Sequence, residues 1–263
     1  MAGSAHAGVV GNWRQTSVRA LAVFYALVWL LPGFAIIDLT VTWSSSWPVM
    51  LEAGWGLMFG ALIAAPLIAL VHTPFNTAAI VQLTVVCLVT ALAAAVSLAW
   101  QAAVLDGVLA VQILSIVLIA SPRAWRGLGP SRLSVPLAVL ALVSIGPWVA
   151  YAFEMFAADR ENRPDGDYTN GVDHYSVQGA LALALVALTA LAAWWPHRFL
   201  LAAIGVAVSG MYLGIVSAAH QGTPGGFSTT WSWAAVLWGA AVGAAAFLTR
   251  YQQPSAAGLR SFD

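Results

Sequence analysis

Residues 77–98 read TAAIVQLTVVCLVTALAAAVSL, and this stretch decides the fold. It contains no charged side chain. As an α-helix rising about 1.5 Å per residue it is about 30 Å long, the thickness of a bilayer's hydrocarbon core. A membrane β-strand would alternate apolar and polar residues over about ten positions, and this run does not alternate. Backbone amides in lipid have no water to bond, so the run closes its hydrogen bonds within itself as a helix.

The same pattern recurs on both sides, over residues 18–37, 51–71, 104–121, 133–156, 174–195, 199–219 and 230–249. The chain is therefore expected to be all-α, a polytopic transmembrane bundle of about eight spans. Trp100 and Gln101 mark a short turn between the third span and the fourth, so seven is the alternative count. Residues 1–17 and 251–263 are expected as tails flanking a membrane domain over 18–250. The first tail leads into an uncleaved first span. Composition agrees: 61% of the 263 residues are hydrophobic and 8% are charged, against about 25% charged in a soluble domain. Mean hydropathy is +0.85.

Charge placement gives an orientation. With the N-terminus inside, Arg14, Arg19, Arg123, Arg126, Arg132, Arg198, Arg250 and Arg260 fall on inner segments. Only Arg160 and Arg163 fall outside, so the positive-inside rule places both termini in the cytoplasm. Asp38, Glu52, Asp106, Glu154, Asp159, Glu161, Asp165, Asp167 and Asp173 then all lie at the outer face, and Asp263 is the exception. Acids contribute little to orientation, so their sorting is independent support. Trp43, Trp47, Trp100, Trp231 and Trp233 fall near the outer boundary, and Trp13, Trp125, Trp194 and Trp195 near the inner one, as interfacial belts do. The longest polar segment, 157–173, is an outer loop rich in turn residues. The expected location is a bacterial cytoplasmic membrane, with the lipid bilayer as the main partner. A homo-oligomer or a membrane-complex subunit is compatible with this composition.

A faint duplication supports a parallel four-plus-four repeat, a symmetry known among transporters. Pro32 precedes Asp38 as Pro147 precedes Glu154. His72 and Phe75 in one inner turn match His197 and Phe199 in another. The glycine pairs Gly56/Gly60, Gly210/Gly214 and Gly239/Gly243 permit close helix contact.

Several chemistries are excluded. The chain has no lysine, so it cannot form a retinal or pyridoxal Schiff base. Cys87 is the single cysteine and cannot form an intrachain disulfide or a thiolate cluster. No phosphate loop or nucleotide fold is evident, and no basic surface of the kind nucleic acid needs.

The residues left to carry chemistry gather at the outer ends of the spans. Asp38, Glu52, Asp106, Glu154, Asp173, His174, Gln178, Ser217 and His220 are candidates to line one outward-facing pocket. Polar groups at membrane depth are costly and point to function. Glu154, His174 and His220 could ligate Zn²⁺, Mn²⁺ or Fe²⁺. The spacing matches no known metal motif, and Asp173 also suits an N-cap. Three readings stay open: a permease-like protein binding a cation, proton or small polar solute; a membrane-embedded enzyme at the outer leaflet, metal-dependent or not; and an accessory subunit without chemistry.

Overall fold

The computed structural model describes residues 3–41, 48–120, 132–164, 174–196 and 198–251. All regular structure among them is helical. Seven helical stretches are long and apolar enough to cross a membrane: Val49–His72, Thr77–Ser97, Trp100–Ala120, Val135–Arg160, Tyr175–Trp194, Leu200–Ala219 and Thr229–Thr249. Thr77–Ser97 and Trp100–Ala120 are separate helices, so the third and fourth spans do not merge.

The first apolar run, read above as one span over 18–37, is interrupted. Helix α1 (Gly3–Leu30) ends before Pro32, and a short α2 (Ala35–Val41) follows. Pro32 cannot supply a helix N–H, and Gly33 N donates instead to Val28 O at 2.7 Å. A Cβ on Gly33 would lie 2.6 Å from Trp29 O, so no larger residue fits this turn. Phe34 then takes a left-handed φ of 62° and redirects the chain.

The second span is α3 (Val49–Leu57), a π-helical segment (Met58–Ala64) and α4 (Ala65–His72). Such wide turns often mark functional positions in helices. Gln82 Nε2 donates to the segment's Leu62 carbonyl at 3.3 Å. The next helix, α5 (Thr77–Ser97), starts at Asn76, whose side chain accepts from Ala78 N and Ala79 N. It stops at Leu98, which is left-handed, and α6 (Trp100–Ala120) follows at once. Then come α7 (Val135–Arg160), α8 (Tyr175–Trp194), α9 (Leu200–Ala219) and α10 (Thr229–Tyr251).

The α3–α4 span and α8 form the centre, 67% and 72% buried, whereas α6 and α7 are only 22% and 28% buried and present apolar faces outward. Two of the three glycine pairs join one interface. A Cβ on Gly239 would lie 2.8 Å from Ala207 O, and one on Gly214 would run into Ser232 O, so α9 and α10 meet backbone to backbone. Gly56 and Gly60 give Ala35 and Leu39 of the α2 region their place against α3 and the π segment.

The two ends of the bundle differ in charge. Arg14, Arg19, Arg132 and Arg198 lie at one end, where Arg19 Nε donates to Val71 O at 3.1 Å and Ser134 N to Ala193 O at 2.8 Å. Asp38, Glu52, Asp106, Glu154, Asp159 and Glu161 lie at the other end. Arg160 and Arg163 are there too, held by Val96 O at 2.7 Å and Glu161 at 2.8 Å respectively. Residues 165–173, with Asp165, Asp167 and Asp173, lie outside the described residues. So do Trp43, Trp47, Arg123, Trp125, Arg126, His197, Arg260 and Asp263.

Candidate functional site at the acidic end

The break after α1 brings Asp38 onto the first turn of α3, where Glu52 sits. Both carboxyls are nearly shut off from water, 5% and 3% exposed, because every residue of α3 is buried. They are in hydrogen-bonding contact. Two adjacent carboxyls without water cannot both ionise at ordinary cost, so the pair holds a proton. Asp38 belongs to none of the seven long spans. Burial first, then the charge and hydrogen bond of Glu52, push its carboxyl up to about 9.

An aromatic ladder runs from the bundle's middle to this end. Trp29 of α1 stacks on Phe59 of the π segment with centroids 4.7 Å apart, and Phe59 meets Trp55 edge-on at 4.7 Å. Trp55 lies one turn beyond Glu52 and touches the His174 ring at 4.2 Å. Its Nε1 donates to Gly33 O at 2.9 Å, tying the helix break to the ladder. His174 is buried at the start of α8.

One turn further, Gln178 Nε2 donates to Tyr151 Oη at 2.8 Å, and Tyr151 donates to Gly225 O at 2.6 Å. Gln178 is 1% exposed, and its Oε1 has no hydrogen-bond partner among the described residues. That oxygen lies where a Cβ on Gly54 would be, so the amide occupies the space that glycine leaves. An acceptor held without a donor costs about 1–3 kcal/mol, which marks the centre as polar by construction.

The nine residues read from the sequence divide between several places. Asp38, Glu52, His174 and Gln178 converge on this centre. Ser217 is fully buried and organises the 220–228 segment, accepting from Phe227 N at 2.7 Å and from Ser232 Oγ at 3.1 Å. His220 is the C-cap of α9, and its carbonyl accepts from Thr223 Oγ1 at 3.0 Å. Asp106 on α6 faces Cys87 of α5 across a side-chain hydrogen bond. Glu154 is exposed on α7 at a cavity of about 550 Å³ between α7 and α10, which neither His174 nor His220 lines. Asp173 lies outside the described residues. Among the described residues no three of His, Cys, Asp and Glu group closely enough to hold a metal ion.

Trp55, Gly54 and Tyr151 complete the centre and are not among the residues singled out from the sequence. Spacing carries the missing signal: Trp55 follows Glu52 by one helical turn, and Tyr151 precedes Glu154 by one turn.

A helical bundle with lipid-facing apolar helices and a buried polar centre at one end defines a multi-pass integral membrane protein in contact with the bilayer. No protein-family model matches the chain, and neither a search of curated proteins nor one of solved structures finds a significant match.

Proposed function

We propose that this is a permease-like protein of the bacterial cytoplasmic membrane, with both termini cytoplasmic and the acidic end facing outward. Its centre at Asp38 and Glu52 binds a proton, a small cation or a small polar solute, and the proton is the species the buried pair favours. The observation that carries this reading is the buried carboxyl pair. A subunit that only packs against partners gains nothing from two acids buried against each other, whereas a coupled transporter needs a protonatable group shielded from bulk water. The π-helical segment directly after α3 supports the reading, since it gives the span that holds Glu52 a place to change pitch. Deeper in the bundle, the buried Ser209 hydroxyl on α9 and the Gln82 amide on α5 are further polar groups along α9 and the π segment.

The test is proton flux. Proteoliposomes containing entrapped pyranine are given an inside-negative potassium diffusion potential with valinomycin. Wild type should acidify the lumen faster than empty liposomes, and Asp38→Asn and Glu52→Gln should return the rate to that of empty liposomes. Wild-type flux equal to that of empty liposomes would remove the permease reading in favour of an accessory subunit.

A further inference from the structure

The cavity between α7 and α10 is separate from the carboxyl pair and has its own chemistry. Its volume is about 550 Å³, within the range of small-molecule sites. Five aromatic residues line it: Trp148, Tyr151, Phe227, Trp231 and Trp238. The rings are mutually tilted, with Tyr151 and Phe227 4.8 Å apart and Trp148 and Trp238 5.5 Å apart. Trp238 Nε1 is already used by Leu140 O at 3.1 Å and Tyr151 Oη by Gly225 O at 2.6 Å, so these two residues offer a ligand their ring faces. Glu154 is the one charged residue in the lining, and it is exposed. The lining of α7 runs from Val143 to Glu154, about 16 Å along the helix axis at 1.5 Å per residue. Apolar residues flank the opening: Val143 is 60% exposed and Trp231 56%, so the cleft opens sideways toward lipid.

Pro147 adds one more feature. It has no N–H, so the Val143 carbonyl lacks its usual helix donor, and both residues line the cleft.

From this geometry we infer that the cleft is a binding site for a single-charged amphiphilic cation, with an ammonium or phosphonium head near Glu154 and an apolar body between the aromatic faces. Tryptophan and tyrosine faces attract cations, more strongly when water is excluded. Glu154 supplies the matching charge at the mouth. A zwitterionic phospholipid is disfavoured, because its phosphate would meet the Glu154 carboxylate. The nearby arginines are engaged elsewhere, Arg160 at Val96 O and Arg163 at Glu161. Tyr151 belongs to this cleft and, through Gln178, to the buried centre, so an occupant would touch a residue that also holds that centre together.

The test uses radiolabelled tetraphenylphosphonium and the purified full chain in maltoside micelles, read by scintillation proximity. Binding should saturate. Decyltrimethylammonium should displace the probe at least tenfold better than decyl sulfate, decanol or dodecylphosphocholine. Glu154→Gln should weaken binding about tenfold, or about 1.4 kcal/mol. Trp231→Leu should weaken it at least threefold. Both residues are exposed, so melting temperatures should stay at the wild-type value and report that the variants fold. Equal displacement by all head groups, unchanged affinity in Glu154→Gln, or no saturable binding would each overturn the assignment. Displacement by dodecylphosphocholine as good as by the cation would also overturn it, making the occupant a zwitterionic lipid. Proton flux is not read in this experiment, so its outcome is independent of the permease reading.

Discussion

Pro32 and Pro147 are each followed within seven residues by an acid, yet they have opposite consequences. Pro32 ends a helix. Pro147 lies inside α7, which continues to Arg160. The neighbours decide. Gly33 allows the chain to fold tightly against Trp29, Gly33 N recovers the Val28 carbonyl, and Phe34 accepts a left-handed backbone. After Pro147 comes Trp148, packed among Tyr151, Phe227 and Trp238, and the helix keeps its direction. The break turns Asp38 inward to Glu52. The continuous helix leaves Glu154 exposed at a cleft. A proline followed by an acid thus leads to a buried carboxyl pair at Asp38 and to an open anionic rim at Glu154.

The largest effect should come from filling the two glycines beside these prolines. Gly33→Val puts methyl groups into the Trp29 backbone and should cost about 3 kcal/mol or more, at the upper end for overpacking. A Cβ on Gly146 would meet nothing within 4 Å, so Gly146→Val should cost less than about 1 kcal/mol. Detergent-denaturation midpoints compare them. Equal losses would mean that the break is not held by close approach.

Next come the prolines themselves. Proline in a helix interior is about 3 kcal/mol less favourable than alanine. Pro147→Ala restores a donor for Val143 and should raise the melting temperature by a few degrees. Pro32→Ala should move it by about a degree at most, because Gly33, Phe34 and the Trp55–Gly33 hydrogen bond hold the turn. A rise in Pro32→Ala as large as in Pro147→Ala would show that α1 and α2 fuse once the proline is gone.

A smaller effect is the pH dependence of the first half. Asp38 has its folded pKa raised to about 9 from 3.8. Between these values the folded state binds more protons than the unfolded one, so stability falls as pH rises through that window. Melting temperature in detergent should therefore decline from about pH 4 towards pH 9. Asp38→Asn should flatten the decline, and an unchanged slope would place the proton elsewhere.

The fold is legible where hydropathy governs it. Apolar runs such as 77–98 form helices nearly as the sequence draws them, and the charges at their ends lie at opposite ends of the bundle. The break at 31–34 is not legible, because hydropathy is continuous through Leu31-Pro32-Gly33-Phe34 and proline is tolerated inside α7. The site is legible in part. Height along the spans is readable from sequence and puts Asp38, Glu52, His174 and Gln178 together. Rotation about each helix axis is not readable, since the spans are apolar on all sides. For that reason height alone groups Glu154 with His174, although Glu154 points to a different cavity, and it gives no sign of Trp55 or Tyr151.

The claim on which the rest depends is that Asp38 and Glu52 share a proton at neutral pH. Infrared spectra of the protein in nanodiscs at pH 7, wild type minus Asp38→Asn, test it directly. A protonated-carboxyl stretch present in wild type, shifted by deuterium and lost in the variant is the predicted result. Superimposable spectra in that region, or no protonated carboxyl in wild type at pH 7, would contradict it.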